Sequence, residues 1–327
     1  MQLATVMGRP SVEDGSVSAT MLALQRAVGN AAVSRLVAVE RQGGAASHGS
    51  VQHAMRGDLA NEFVQTEEGA ESGGHGGIAN RVGGRIKEKP TNDVERRFYA
   101  DMRAGEYPAL EGVVPNSYTA QQVQAMDGQH GKGNDSTHVY IDNLTFSMKM
   151  PRVLDIKLGK STASKQELFT SMSKADAWIK KMKLKAADMV TGSSDRGYRA
   201  VAGTGLKGKS RRSIGRETEQ ILQRISEQPS IYDVLVEKLT QAREAARNSG
   251  LAFIAASVLI AVDEQPPEES QADPVKLSLI DFAHTFGPGR MGEAQVAKYR
   301  DRFDEGIGRL IEAVQAAGEA KRQTASS

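Results

Sequence analysis

Residues 151–159 read Pro-Arg-Val-Leu-Asp-Ile-Lys-Leu-Gly, and the fold turns on them. Their alternation predicts a strand, with Val153, Asp155 and Lys157 on one side and Leu154, Ile156 and Leu158 on the other. One face is apolar and built for burial. The other carries an anion and a cation two residues apart, roughly 6–7 Å along an extended chain. Pro151 can open a strand where an N–H is not needed, and Gly159 lets the backbone turn or lets a partner approach closely. These residues leave two readings: a half-buried strand with a solvated ion pair, or an acid-base ledge at the edge of a site.

Composition narrows the choice. A chain of 327 residues, 39% hydrophobic and 25% charged, has the balance of a soluble globular protein with one large or two small domains. With no cysteine it has no disulfide, thiolate nucleophile or cysteine-ligated metal. The longest apolar run, Leu251 to Val262, is too short to span a bilayer, and the N-terminus is read as lacking a signal peptide. A net charge of +2 hides an asymmetry: Lys149 to Arg216 holds 17 Lys/Arg against 5 Asp/Glu, and the remainder is acidic. A basic block beside an acid-base strand draws polyanions. Its aromatics are Phe169, Trp178 and Tyr198, too thin a set for base stacking, so a small, densely charged anion is favoured over nucleic acid.

The pattern Pro-x-x-x-Asp-x-Lys-x-Gly, with Pro151, Asp155, Lys157 and Gly159 in its fixed positions, resembles the defining motif of the inositol polyphosphate kinase family. Further landmarks follow in family order. Gly-rich residues 69–84 around His75 resemble a turn ahead of the nucleotide-lysine strand, although a hairpin or a linker would read the same. Lys87 or Lys89 stands where the family places a lysine on the ATP phosphates, and Glu95 with Phe98-Tyr99 follows as in the inositol hexakisphosphate kinase branch. Val139 to Leu144 reads as a strand ending in the family's adenine hinge, with Asp142 and Leu144 in the matching positions. Residues 197–203 resemble the family strand that carries an arginine, here Arg199. Leu277 to Thr285 contains Ile-Asp-Phe-Ala-His-Thr, close to the second diagnostic motif. A carboxylate ending an apolar strand is where a kinase holds Mg²⁺ against ATP phosphates, which assigns Asp281 to the metal. Ser257, within the buried strand read over Phe253 to Asp263, is either a core hydroxyl or a water-mediated helper. Phe303 to Leu310 resemble the closing helix.

The resemblance implies an α+β, two-lobed inositol polyphosphate kinase-like fold: an antiparallel-sheet N-lobe, a hinge, and a C-lobe of sheet plus helices. It implies an ATP- and Mg²⁺-dependent kinase acting on an inositol polyphosphate. Lys157 would grip the acceptor and the transferring group, with Lys160 and Lys165 as further substrate contacts; Asp155 would touch the ribose or assist the attacking hydroxyl. The expected organisation is a leader at 1–57 with one helix near 18–37, a catalytic domain at 58–320 (N-lobe about 58–142, C-lobe about 143–320) and a flexible tail at 321–327. Leu24-Gln25, Gly29-Asn30, Val33 and Leu36 resemble a segment opening many bacterial proteins linked to contractile injection systems. The expected location is therefore the cytoplasm, or export by a non-classical route as an injected effector.

Two rival readings stay open. Gly203 to Ser210 satisfies the P-loop pattern Gly-x-x-x-x-Gly-Lys-Ser, with Lys209 and Ser210 as its working residues. Against it, Arg211 to Gly215 is a poor helix start, and few residues remain for the βα units of that fold. The other rival is a non-enzymatic polyanion or nucleic-acid module built on the basic block.

Overall fold

Strand-forming sequence divides between two antiparallel sheets. In the computed structural model the described residues are 77–128, 135–159, 196–266, 273–287 and 289–326. The leader helix, the Gly-rich run as far as Gly76, Lys160, Lys165 and the rest of 160–195 lie outside them. The N-lobe sheet has β1 (Ala79–Arg81), β2 (Ile86–Pro90), β3 (Ser117–Tyr118) and β4 (His138–Asp142), in the order β1-β2-β4-β3. It carries α1 (Asp93–Arg103) and α2 (Ala120–Asp127). The C-lobe sheet has β5 (Pro151–Leu158), β6 (Tyr198–Gly203), β8 (Ser257–Asp263) and β9 (Val275–Ile280), in the order β6-β5-β8-β9 with every pair antiparallel. A two-stranded ribbon joins β7 (Ala252–Phe253) to β10 (Thr285–Phe286).

The opening stretch is thus an inner strand, paired along both edges. Leu154, Ile156 and Leu158 enter one core with Val258, Ile260, Leu277 and Leu279 of the neighbouring strands. Two long helices close it: α5 (Pro229–Asn248), with Pro229 in its first turn, and α6 (Glu293–Ala325). Leu235 and Leu239 of α5 and Ile307, Leu310 and Val314 of α6 are buried at helical spacing, each stabilising by about 1.5–3 kcal/mol when fully covered. Two short helices, α3 (Arg211–Arg216) and α4 (Thr218–Gln223), follow β6.

Where β5 leaves the sheet and β6 enters it, three glycines meet. Gly159 N donates to Gly197 O at 2.8 Å, and Gly306 of α6 lies directly on that bond. A Cβ on Gly306 would stand 2.4 Å from Gly197 O and 2.9 Å from Gly159 N. Both Gly159 (φ +88°) and Gly197 (φ +77°) are left-handed, so this neck needs glycine for backbone shape as well as for room.

The chain departs from the sequence reading in three places. Phe253 to Asp263 is not one strand: residues 254–256 break it, with Ala255 at φ +58°, because an unbroken apolar run does not mark a bend inside itself. A helix does start at Arg211, capped by Ser210, although it lasts only six residues. Instead of a tail from 321, α6 continues through Ala325, held where Lys321 pairs with Glu227 and Arg322 with Asp233. Among the described residues no helix is long and apolar enough to cross a membrane.

Candidate active site between the two sheets

β2 alternates: Ile86 and Glu88 face the N-lobe interior, while Lys87 and Lys89 face the other way. Lys87 lies opposite Asn80 of β1 and bonds its Oδ1 at 2.8 Å. Two residues on, Lys89 reaches out of the sheet, with its Nζ 2.6 Å from Asp281 Oδ1 and 3.1 Å from Glu95 Oε1. The register with β1 separates two lysines that periodicity alone could not.

α1 begins immediately after β2. Asn92 caps it, its Oδ1 accepting from Glu95 N at 3.0 Å. The Glu95 carboxylate sits in the first turn, where the helix N-terminus favours negative charge, and it is 1% exposed. Its Oε1 accepts from Lys89 Nζ and from Phe282 N (3.0 Å), and its Oε2 accepts from Thr91 Oγ1. So placed, it is fully used. Burial alone would pull the Lys89 ammonium down, but the carboxylates of Asp281 and Glu95 outweigh it and hold the pKa above its usual value.

Asp281 follows the last residue of β9, at φ +65°. Aspartate is among the few non-glycine residues that enter this region readily, and the neighbours hold it there. Phe282 is fully buried, stacked on Phe98 at 4.0 Å between ring centroids and edge-on to Tyr99 at 5.7 Å. Ala283 O accepts from Asn92 Nδ2 at 3.0 Å. The apolar and polar grips act on the same three residues.

β5 brings the third component. Lys157 is in register with Arg199 on one side and Ser257 on the other, and Ser257 pairs in turn with Ile280, next to Asp281. One row across four strands therefore ends at Ile280, immediately before Asp281. Asp155, one pleat along, is not a solvated ledge but is buried. Burial raises its pKa to about 7, helped by the charge of Asp281 and opposed by Lys157, the Ser257 hydroxyl and Lys89. Asp155 Oδ1 and Ser257 Oγ are both buried, and neither makes a hydrogen bond of full geometry, although the hydroxyl is near enough to favour the Asp155 carboxylate. Two acids and two lysines, from β2, β5 and the end of β9, thus share one field.

Among the described residues no group of three or more His, Cys, Asp or Glu could hold a metal by itself. A nucleotide-bound Mg²⁺ takes hard oxygens from one or two carboxylates and completes its shell with water and phosphate. Asp281 offers a carboxylate at the end of β9, and the buried oxygens of Asp155 and Ser257 would give a hydrated ion polar neighbours. The residues fit a metal–nucleotide group.

The connection from β4 to β5 is the expected hinge. Asp142 accepts from Tyr118 OH and Asn116 Nδ2, both at 2.8 Å, and Leu144 is half-buried in the turn beyond. Asp263, at the end of β8, receives the amides of Lys149 and Met150 at 3.0 Å and fixes the turn to the C-lobe. The P-loop pattern builds no phosphate cradle: β6 is an edge strand of an antiparallel sheet, and Lys209 is paired with Glu217 at 2.7 Å. Lys160 and Lys165 lie outside the described residues. Thr91 and Asn92 escaped the sequence reading, although Asn two residues after Pro90 and three before Glu95 is a helix-start signal.

Comparison with known proteins gives a consistent picture. The family model described as inositol polyphosphate kinase matches residues 138–315. No curated protein sequence matches the chain. Among solved structures, the inositol phosphate multikinase Ipk2 of S. cerevisiae, in complex with ADP and Mn²⁺, is similar with a TM-score of 0.52 and 16% identity over 71% of this chain and 99% of that one. A second inositol phosphate multikinase structure gives a TM-score of 0.47 and 14% identity, covering 68% of this chain and 99% of that one. At such identity the likeness to Ipk2 is one of fold.

Proposed function

Because this chain belongs to the inositol polyphosphate kinase family, we propose that it transfers the γ-phosphoryl group of ATP, with Mg²⁺, to an inositol polyphosphate. One observation carries the proposal: Lys89 Nζ, from the N-lobe sheet, lies 2.6 Å from the carboxylate of Asp281 at the end of a C-lobe strand, with Asp155 and Lys157 in the same field. Phosphoryl transfer asks for positioning and charge neutralisation rather than covalent chemistry. The Lys89–Glu95 pair and the Asp-Phe-Ala sequence at 281–283 are the counterparts of the lysine–glutamate pair and Asp-Phe-Gly of protein kinases.

When bound, Mg²⁺ would neutralise phosphate charge and orient the nucleotide. Asp281 would hold it, and Lys89, kept ammonium by its two acids, would bind the phosphates. Asp142 and Leu144 would border the adenine in the hinge. Asp155, buried next to Lys157, would accept the proton of the attacking hydroxyl. Lys157, with Arg199 opposite it, would neutralise the transferring group and grip the acceptor. Lys160 and Lys165 would extend that grip.

The test is incubation with Mg-ATP and a panel of inositol phosphates, with the products separated by anion exchange. A more highly phosphorylated product, formed only when protein, ATP and acceptor are all present, supports the proposal. ATP hydrolysis independent of every acceptor, or none at all, would overturn it.

A further inference from the structure

Capping a helix needs only an acceptor. Ser, Thr or Asp in place of Asn92 would satisfy Glu95 N equally well. The other half of the Asn92 amide is spent elsewhere: Nδ2 donates to Ala283 O at 3.0 Å, across 191 residues of sequence. One residue back, Phe282 N donates to Glu95 Oε1. The first turn of α1 thus grips two successive residues following Asp281, one through its N–H and one through its C=O.

That grip has work to do. Asp281 is left-handed, a conformation that aspartate tolerates but that surrounding contacts must hold. Buried Phe282 fixes the chain just past it but does not orient the Ala283 carbonyl. Asn92 does, and the same side chain fixes the start of the helix that presents Glu95 to Lys89.

We propose that Asn92 is a positioning residue for the metal-binding carboxylate: its side-chain nitrogen, apart from its capping oxygen, holds the 281–283 turn so that Asp281 points at the Mg²⁺–nucleotide. The inference rests on the kinase reading above. It makes the cap of α1 a strut between the helix of the nucleotide lysine's partner and the turn of the metal's carboxylate.

Asn92→Ser and Asn92→Asp keep a cap acceptor and lose the donor, whereas Asn92→Ala loses both. The readouts are thermal midpoint, Mg·ADP affinity by calorimetry, and kcat and acceptor KM with the best acceptor of the panel. Loss of one hydrogen bond predicts about 5- to 10-fold weaker Mg·ADP binding and a similar fall in kcat for the Ser and Asp variants. Their acceptor KM should stay near wild type and their thermal midpoint should fall by only a few degrees, with Asn92→Ala, which loses the cap as well, melting lowest. Ser and Asp variants with wild-type Mg·ADP affinity and kcat would show that the residue is a cap only. Losses in all variants that simply track the thermal midpoint would also overturn the proposal. A wild type that binds Mg·ADP but phosphorylates no acceptor sinks the choice of acceptor and leaves the strut testable by calorimetry. A wild type that binds no Mg·ADP sinks both.

Discussion

The ammonium of Lys89 and the carboxylate of Asp281 lie 2.6 Å apart at a sequence separation of 192. The contact joins the end of a strand in one sheet to the end of a strand in the other, and Glu95 makes it a three-membered cluster. An ion pair this shielded is costly to break from one side, because the surviving charge is left poorly solvated.

Lys89→Ala should therefore do two things. Turnover should fall by about 100-fold or more, the scale of removing a preorganised charge contact to a transferring group. Thermal stability should also fall, by about 1–3 kcal/mol, since the Glu95 and Asp281 carboxylates would face each other without their cation. Kinetics with the preferred acceptor and a melting curve check both. Lys87→Ala, which touches Asn80, should leave kcat within about 2-fold.

Asp281→Asn keeps a residue that tolerates the left-handed conformation and removes only the charge. The folded state should persist, with Lys89 still paired to Glu95, while activity drops about 1,000-fold and the Mg²⁺ requirement rises. Circular dichroism and a metal titration of initial rate would read this. An active Asp281→Asn enzyme would remove the metal assignment.

Lys157→Ala should lower kcat and raise acceptor KM with little change in nucleotide affinity, because Lys157 stands on β5 opposite Arg199 whereas Lys89 stands on β2 of the other sheet. A loss of about 100-fold in kcat/KM is expected. Lys209→Ala discriminates the rival: the side chain pairs with Glu217 at the surface, so its removal should leave kcat within about 2-fold, where a P-loop enzyme would be disabled.

Stability should fall in acid. Arg243 donates two hydrogen bonds to Asp304, at 2.8 Å each, and Arg247 adds more; these outweigh burial and hold the Asp304 carboxyl below its usual range. The unfolded chain then takes up this proton more readily than the folded one, so the contribution is whole above the ordinary carboxylate range and fades as pH falls through it. Asp304→Asn should lower stability at pH 7 by about 1–2 kcal/mol and flatten the acid limb of a plot of thermal midpoint against pH.

What could be read from the sequence follows from what patterns encode. The strand at 151–158 and the position of Asp281 at a strand end were legible because alternation and short motifs are local. The burial of Asp155 was not: alternation assigns a face, but not whether another turn of the chain covers it. Lys87 and Lys89 have the same parity, and only pairing with Asn80 tells them apart. Asn92 shows the limit most plainly, since a capping residue looks the same in sequence whether or not its nitrogen is used.

The meeting of Gly159, Gly197 and Gly306 clasps the point where the chain leaves β5 to the point where it enters β6. These two points are braced by the closing helix, so doubling the number of residues between them would add only about 0.6 kcal/mol of closure entropy. A change of length between Gly159 and Gly197 should therefore leave the strand bearing Asp155 and Lys157 as it is.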